Sequence, residues 1–160
     1  MLIRKATQED HDAVWDIIRQ VIAKGDTYVF APNSHKEKML NYWCAPNKHT
    51  YVAVVDEKVA GTFVIADNFP DLGAHVANAG YMTLPGMTGK GLGTAMGKFS
   101  LEEAKKLGYK AMQFNLVVKS NERAVKLWQK LGFQIIGEIP KAFQHQTDGL
   151  TNAYIMWQAL

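Results

Sequence analysis

Three glycines at alternate positions, Gly89, Gly91 and Gly93, stand between an apolar run and a stretch of helical periodicity, in the segment Met87-Thr88-Gly89-Lys90-Gly91-Leu92-Gly93-Thr94. A strand that feeds a glycine-rich turn at a helix start is an anion site. Glycine lets backbone N–H groups close on phosphate oxygens, and the helix N-terminus adds partial positive charge. The spacing is not the dinucleotide pattern Gly-x-Gly-x-x-Gly, and it lacks the Gly-Lys-Ser/Thr ending of a P-loop, so both cofactor classes recede. On the glycines alone, a tight turn with no ligand stays open. Asn121 heads a later helical stretch, where its side chain suits an N-cap. Asn78 and Asn115 lie inside two apolar runs; a strand amide either satisfies the sheet's own backbone or faces a cleft, and Asn115 is placed to face the same cleft as Asn78.

The elements that must position these residues follow from periodicity and breakers. Residues 2–6 predict an opening strand; Thr7 and Asp10 start a helix carrying Val14, Trp15, Ile18, Val21 and Ile22, which Gly25 ends. A second helix over 34–43 stops before Pro46, and strands over 51–55 and 61–66 flank the polar turn 56–58 as an antiparallel hairpin. Residues 76–84 predict the strand that enters the glycine turn, and the helix beyond it spans about 94–107, capped by Gly108. A strand over 112–118, a helix over 121–131 closed by Gly132, and strands over 133–139 and 152–157 complete the chain. The order is α/β (α+β), a mixed sheet of about seven strands with about four helices, in a single domain over residues 1–160.

Of 160 residues 48% are apolar and 21% charged, enough for one core and short for two. The net charge of +3 is spread among acidic residues rather than gathered in a run, which argues against nucleic acid as a partner. No stretch has the roughly 18 uninterrupted apolar residues of a membrane span, and Met1-Leu2-Ile3-Arg4-Lys5 gives way at once to polar residues, so no membrane partner and a cytoplasmic location are expected. The lone Cys44 cannot form an internal disulfide, and no Cys/His cluster has zinc spacing; no metal is expected. Trp43, Trp128, Trp157, Met39, Met96 and Met112 have the spacing of core residues.

The glycine turn together with Asn121-x-x-Ala124-x-x-Leu127-Trp128-x-Lys130-x-Gly132-Phe133 resembles the paired signatures of the GNAT (GCN5-related) N-acetyltransferase superfamily, and the likeness extends to the opening strand and hairpin. It implies the GNAT fold and acetyl-CoA as co-substrate. It implies that backbone groups of Met82, Thr83 and Leu84 pair with the pantetheine arm, that amides from Gly89 through Lys90, Gly91, Leu92 and Gly93 to Thr94 cradle the pyrophosphate, and that Asn121 and Trp128 border the thioester. Thr88 stands where the family has arginine or glutamine, so Lys90 is expected to replace part of the missing cation. Trp128 replaces the tyrosine that protonates the leaving thiolate in many relatives, and an indole N–H is too weakly acidic for that. Asn78, in Asn78-Ala79-Gly80-Tyr81, replaces a glutamate and cannot take a proton.

With the usual base and acid both absent, the expected mechanism is direct attack of a neutral amine in a ternary complex, aligned by amide hydrogen bonds on a thioester polarised by strand N–H groups. The trio Asn78, Asn115 and Asn121 resembles that of the fungal L-azetidine-2-carboxylate (proline-analogue) N-acetyltransferases, which implies catalytic roles for Asn78 and Asn115 and a small amine, an amino acid or amine analogue, as acceptor. Tyr28 and Phe30 are the expected walls of the acceptor pocket, with His145, in the loop 143–146, as a water-linked base. Alternatives are a protein lysine or N-terminal acetyltransferase and a noncatalytic acyl-CoA sensor. A homodimer is the family expectation.

Overall fold

The computed structural model describes residues 1–160 as a seven-stranded mixed sheet with two helices on each face. The strands are β1 (Leu2–Lys5), β2 (His49–Val55), β3 (Lys58–Asp67), β4 (Val76–Thr83), β5 (Ala111–Val118), β6 (Gln134–His145) and β7 (Gly149–Ala159), in the spatial order β1-β2-β3-β4-β5-β7-β6. The helices are α1 (His11–Ile22), α2 (Lys36–Trp43), α3 (Leu92–Lys106) and α4 (Glu122–Lys130). No helix is long and apolar enough to cross a membrane.

Side-chain alternation sorts the central strands between two cores. Val52, Val64 and Met82 pack under α1 and α2 with Val14, Ile17, Ile18, Ile22, Met39 and Trp43. Tyr51, Ala53, Phe63, Ile65, Met112 and Phe114 pack under α3 and α4 with Leu92, Met96, Leu101, Ala104, Val125 and Trp128. On α1 the buried Val14, Ile17, Ile18 and Ile22 recur at helical spacing, which holds one face on the sheet. Gly93 and Gly97 let α3 approach α4: a Cβ on Gly97 would lie 2.5 Å from Leu131 Cδ1. The indole N–H of Trp43 donates to the buried Thr62 Oγ1 at 3.0 Å, and Trp43, Met39, Met96, Met112 and Trp128 are core residues, whereas Trp157 is only half-buried.

The predicted elements are all present, with boundaries moved by a few residues and one larger change, in β6. The β2–β3 turn is the two residues Asp56 and Glu57, with φ of 47° and 63°, the paired left-handed geometry that matches strand twist. The strand predicted over 133–139 continues as β6 to His145, because an irregularity between Ile139 and Phe143, with Lys141 at φ 52°, carries the chain past Pro140 and back into register with β7. Phe143 and His145 therefore belong to a strand, not to a loop.

Candidate functional site

The two central strands separate partway along their length. β4 and β5 run parallel but pair only at Val76–Ala111 and Ala77–Met112; beyond that β4 stays with β3 to Thr83 while β5 follows β7. At the apex of this split the Asn78 Nδ2 donates to the Gln113 carbonyl at 2.9 Å, a side-chain rung where main-chain pairing stops. The Leu84 N–H donates to the Ala60 carbonyl at 2.8 Å, which fixes the phase of the β3–β4 ladder. Main-chain groups of Met82 and Gly80 then face β3 as well, while those of Ala79, Tyr81 and Thr83 face the split. Tyr81 bears this out: its N–H donates to Tyr28 Oη at 2.7 Å, and its carbonyl accepts from the Tyr28 hydroxyl at 2.8 Å.

This phase corrects the expected pantetheine contacts. Met82 turns its main-chain groups to β3, Leu84 gives its N–H to β3 and its carbonyl to the Met87 N–H, and Thr83 alone of the three faces the split, as do Ala79 and the Tyr28-bonded Tyr81.

On the α3/α4 side the split opens into a groove of about 370 Å³, lined by Tyr81, Thr83, Thr88, Gly89, Gly91, Gly93, Thr94, Asn121, Arg123 and Trp128 among others. Gly89 and Gly91 take φ of 88° and 79°, a conformation that disfavours any side chain. Nothing lies within 4 Å of a Cβ built on Gly91, so the space above its backbone is open. The N-cap Gly91 offers no side-chain cap, and the first bond into α3 is Ala95 N–H to the Gly91 carbonyl. The N–H groups of Leu92, Gly93 and Thr94 therefore have no intrahelical acceptor. The Leu92 side chain is core, 2% exposed, so only its amide can serve a ligand.

On the α1/α2 side a second cavity of about 290 Å³ is walled by Tyr28, Phe30, Tyr42 and Trp43 and floored by Asn78, Gly80, Asn115 and Asn121. Tyr28 and Phe30 stack with centroids 6.1 Å apart, and Phe30 meets Tyr42 edge-on at 5.0 Å. Gly80 leaves room for this wall: a Cβ there would lie 3.2 Å from Trp43 Cη2 and 3.4 Å from Tyr28 Oη. Burial pushes the Tyr28 and Tyr81 hydroxyls well above the ordinary tyrosine range, so both stay protonated. Tyr81, Asn121, Ala124 and Trp128 line groove and cavity alike, so the two meet through the split.

A glycine-walled groove and an aromatic cavity thus meet at the edge of a splayed strand. Residues 15–133 match the sequence model of the acetyltransferase (GNAT) family. The chain belongs to that family. The chain is 37% identical to a GCN5-related N-acetyltransferase from Kribbella flavida, over 99% of this chain and 97% of that one, with a TM-score of 0.95. It is 32% identical over 114 residues to the N-acetyltransferase aca1 of Schizosaccharomyces pombe, covering 69% of this chain and 54% of that protein; the chain thus spans about half the length of aca1. A GNAT phosphinothricin acetyltransferase from Sinorhizobium meliloti, solved in complex with acetyl-CoA, shares the fold at 17% identity, with a TM-score of 0.88 over 99% of this chain and 88% of that one.

For a GNAT protein the cradle fits a pyrophosphate in its open glycine backbone and free helix-start amides. The expected cation, Lys90, is exposed, with its ammonium 3.8 Å from Met87 Sδ, and it does not line the groove. Arg123 lines the groove instead: a Cβ on Gly89 would lie 3.1 Å from Arg123 Nη2, and the guanidinium has no carboxylate partner. Sequence reasoning missed Arg123, although it lies two residues after Asn121, in the first turn of α4. The Asn121 Oδ1 accepts from the Ala124 N–H at 3.3 Å, so it caps α4 while bordering both spaces.

Asn78 and Asn115 share one cavity, but parts of both amides are already engaged. Asn78 has its Nδ2 on Gln113 and keeps Oδ1 free, whereas Asn115 donates to Asn68 Oδ1 at 2.7 Å and accepts from Gln113 Nε2 at 3.0 Å. His145 lies apart. It does not line the cavity, and its Nδ1 accepts from Thr147 and Asp148 N–H groups at 3.2 Å, which closes the β6–β7 turn. The nitrogen lone pair that a water-linked base would use is thus already taken up by the turn. Tyr42 is an aromatic wall the sequence reading did not name, at the exposed end of α2.

Proposed function

We propose that this protein transfers the acetyl group of acetyl-CoA to the amine of a small molecule by direct attack in a ternary complex. The observation that carries the reading is the open edge of β4, reached from one face by a phosphate-fitting groove and from the other by a separate aromatic cavity. Acetyl-CoA supplies the activated thioester. The amides from Gly89 to Thr94 and the Arg123 guanidinium hold the pyrophosphate, and Thr83 presents main-chain partners to the pantetheine arm as an added strand would find them. With the Tyr81 N–H held by Tyr28 Oη, the N–H groups of Ala79 and Thr83 are the ones on the open edge of β4 left to face the carbonyl oxygen on which charge develops. From the other face the free Asn78 Oδ1 accepts an N–H of the amine and aims its lone pair across the split.

The ionisable side chains around the cavity are tyrosines, and Tyr28 and Tyr81 stay protonated, so the amine arrives already neutral. Alignment alone supplies roughly 7–11 kcal/mol in well-oriented systems. The Tyr28–Phe30–Tyr42 wall narrows the cavity to about 290 Å³, which suits a compact acceptor better than an extended peptide.

The test is release of free CoA from acetyl-CoA with small amines, amino acids, proline analogues and a lysine peptide, against a control without acceptor. Turnover with a small amine supports the reading. Turnover with peptide alone replaces it with protein modification, and acetyl-CoA binding without any turnover replaces it with a sensor role.

A further inference from the structure

Acetyl transfer moves a proton. The amine sheds one when its nitrogen becomes an amide, and the departing sulfur needs one to become a thiol, yet Trp128 and Asn78 can neither give nor take it. Among the ionisable side chains that line the cavity, Tyr28 alone brings its polar atom to the edge of β4. The Tyr81 hydroxyl is bonded instead with the buried Ser100 Oγ at 2.6 Å, and Tyr42 meets Phe30 edge-on at the outer end of the wall. In the groove the Arg123 guanidinium does not release a proton. The Tyr28 Oη is held from two sides: the Tyr81 N–H donates to it at 2.7 Å, and its own hydroxyl donates to the Tyr81 carbonyl at 2.8 Å.

Main-chain groups on one side of a strand recur every second residue, roughly 7 Å apart, so Tyr81 lies midway between Thr83 and Ala79 on the open edge. On the small-amine reading, from which this step follows, the pantetheine arm enters beside Thr83 and the amine lies at Asn78, next to Ala79. The bond to be broken then falls opposite Tyr81, where the Tyr28 hydroxyl stands. We infer that Tyr28, from the connection between α1 and α2, is a catalytic residue that carries this proton. The amine nitrogen bonds to the acetyl carbon, and the carbon–sulfur bond breaks with its electron pair going to sulfur. The Tyr28 O–H proton passes to that sulfur, and the surplus proton on nitrogen passes to the Tyr28 oxygen. An amide, a CoA thiol and an unchanged tyrosine result. The hydroxyl reaches sulfur by turning about its C–O bond away from the Tyr81 carbonyl, with the ring in place. Burial holds this hydroxyl well above the ordinary tyrosine range, so the two transfers are coupled and no free tyrosinate forms.

The experiment measures single-turnover acetyl transfer to an accepted amine from acetyl-CoA and from acetyl-seleno-CoA, in the wild type and in Tyr28→Phe. A selenolate is a weak base and leaves without a proton, and the phenyl ring keeps the stack on Phe30. Transfer from the thioester should fall about 100-fold in Tyr28→Phe, and transfer from the selenoester by about threefold or less. A second readout needs no turnover. The thiol of bound CoA, followed by ultraviolet absorption against bound desulfo-CoA, should titrate about one to two pH units higher in Tyr28→Phe, because a hydrogen bond to the thiolate is lost. If Tyr28→Phe does not fold, the wild type decides, since heavy water should slow transfer from the thioester more than transfer from the selenoester. A loss or isotope effect of equal size with both esters, or a thiol titration that does not move, overturns the inference and leaves the small-amine reading standing. A wild type that acetylates no amine, with acetyl-CoA still bound, overturns both.

Discussion

The groove under α3 and α4 offers its polar contacts largely through main chain, with glycines at positive φ, helix-start amides and the edge of β4, set beside the Arg123 guanidinium and the apolar side chains of Met87, Leu127 and Trp128. The cavity under α1 and α2 is built from side chains, with an aromatic wall of Tyr28, Phe30 and Tyr42 over amides from β4 and β5. A backbone site is fixed by the fold itself and binds what every family member binds. A side-chain site can be rewritten residue by residue without disturbing the sheet. The two sides should therefore fail differently when mutated, the groove through backbone conformation and the cavity through single functional groups.

The largest separation is expected from Gly91→Val. A β-branched residue at φ 79° is strained by roughly 1–2 kcal/mol, and its side chain projects into the space that anion oxygens need. Acetyl-CoA affinity by calorimetry should fall by about 100-fold or more. The thermal transition should stay sharp, since nothing lies within 4 Å of the new Cβ. Unchanged affinity would remove the phosphate assignment and with it the contrast between the sides. Asn78→Ala is the matching change on the cavity side, and kcat should drop roughly 10- to 100-fold while the acetyl-CoA Kd stays within about twofold. An equal loss in both would mean that the Asn78–Gln113 rung serves the split, and so the cofactor, instead of the acceptor.

The same division sets what was legible in the sequence. The glycine turn and the Asn121–Phe133 pattern are contiguous, because a helix start and a capped helix are local structures, and they gave the family and the groove. The edge of β4 that faces the split was not legible, since the phase depends on the pairing of Leu84 with Ala60, a partner 24 positions away that no local pattern selects. His145 was misplaced because Pro140 breaks the strand pattern and the bulge that repairs it is a matter of pairing with β7. Lys90 is the cation inside the motif, yet α4 packing brings Arg123 over Gly89 instead. Tyr28 meets the edge of β4 at Tyr81 only because the connection between α1 and α2 folds over a strand 53 positions away.

Arg123→Gln sharpens the comparison within the groove. It should weaken acetyl-CoA binding about 10-fold and flatten the salt dependence of Kd, as expected when one charge-assisted phosphate contact is lost. Lys90→Gln should leave Kd within about twofold. If the two results were exchanged, the cation would lie in the turn as the sequence implied, and the side chain from α4 would be scaffold.

The smallest effect is expected at the foot of α1, the helix whose packing backs the cavity wall. Asp10 accepts both guanidinium nitrogens of Arg4, at 2.7 and 2.8 Å, and the Thr7 N–H at 2.8 Å. The Arg4 bonds hold its carboxyl down at about 2, below the ordinary value of 3.8. A folded-state pKa that is depressed adds stability above the unfolded value and loses it as pH falls towards about 2. The Arg4 side chain is 41% exposed, so water screens the pair, and Asp10→Asn should cost about 1–2 kcal/mol at pH 7. In thermal melts that is a drop of roughly 3–8 °C, narrowing steadily between pH 4 and pH 2. A gap constant with pH would assign the loss to packing, not to charge. Because α1 and α2 share one core beneath Tyr28 and Phe30, the acceptor KM should rise two- to threefold, order-of-magnitude, while the acetyl-CoA Kd stays put. A shift in Kd with KM unmoved would show that the two faces of the sheet are not the independent sites their materials imply.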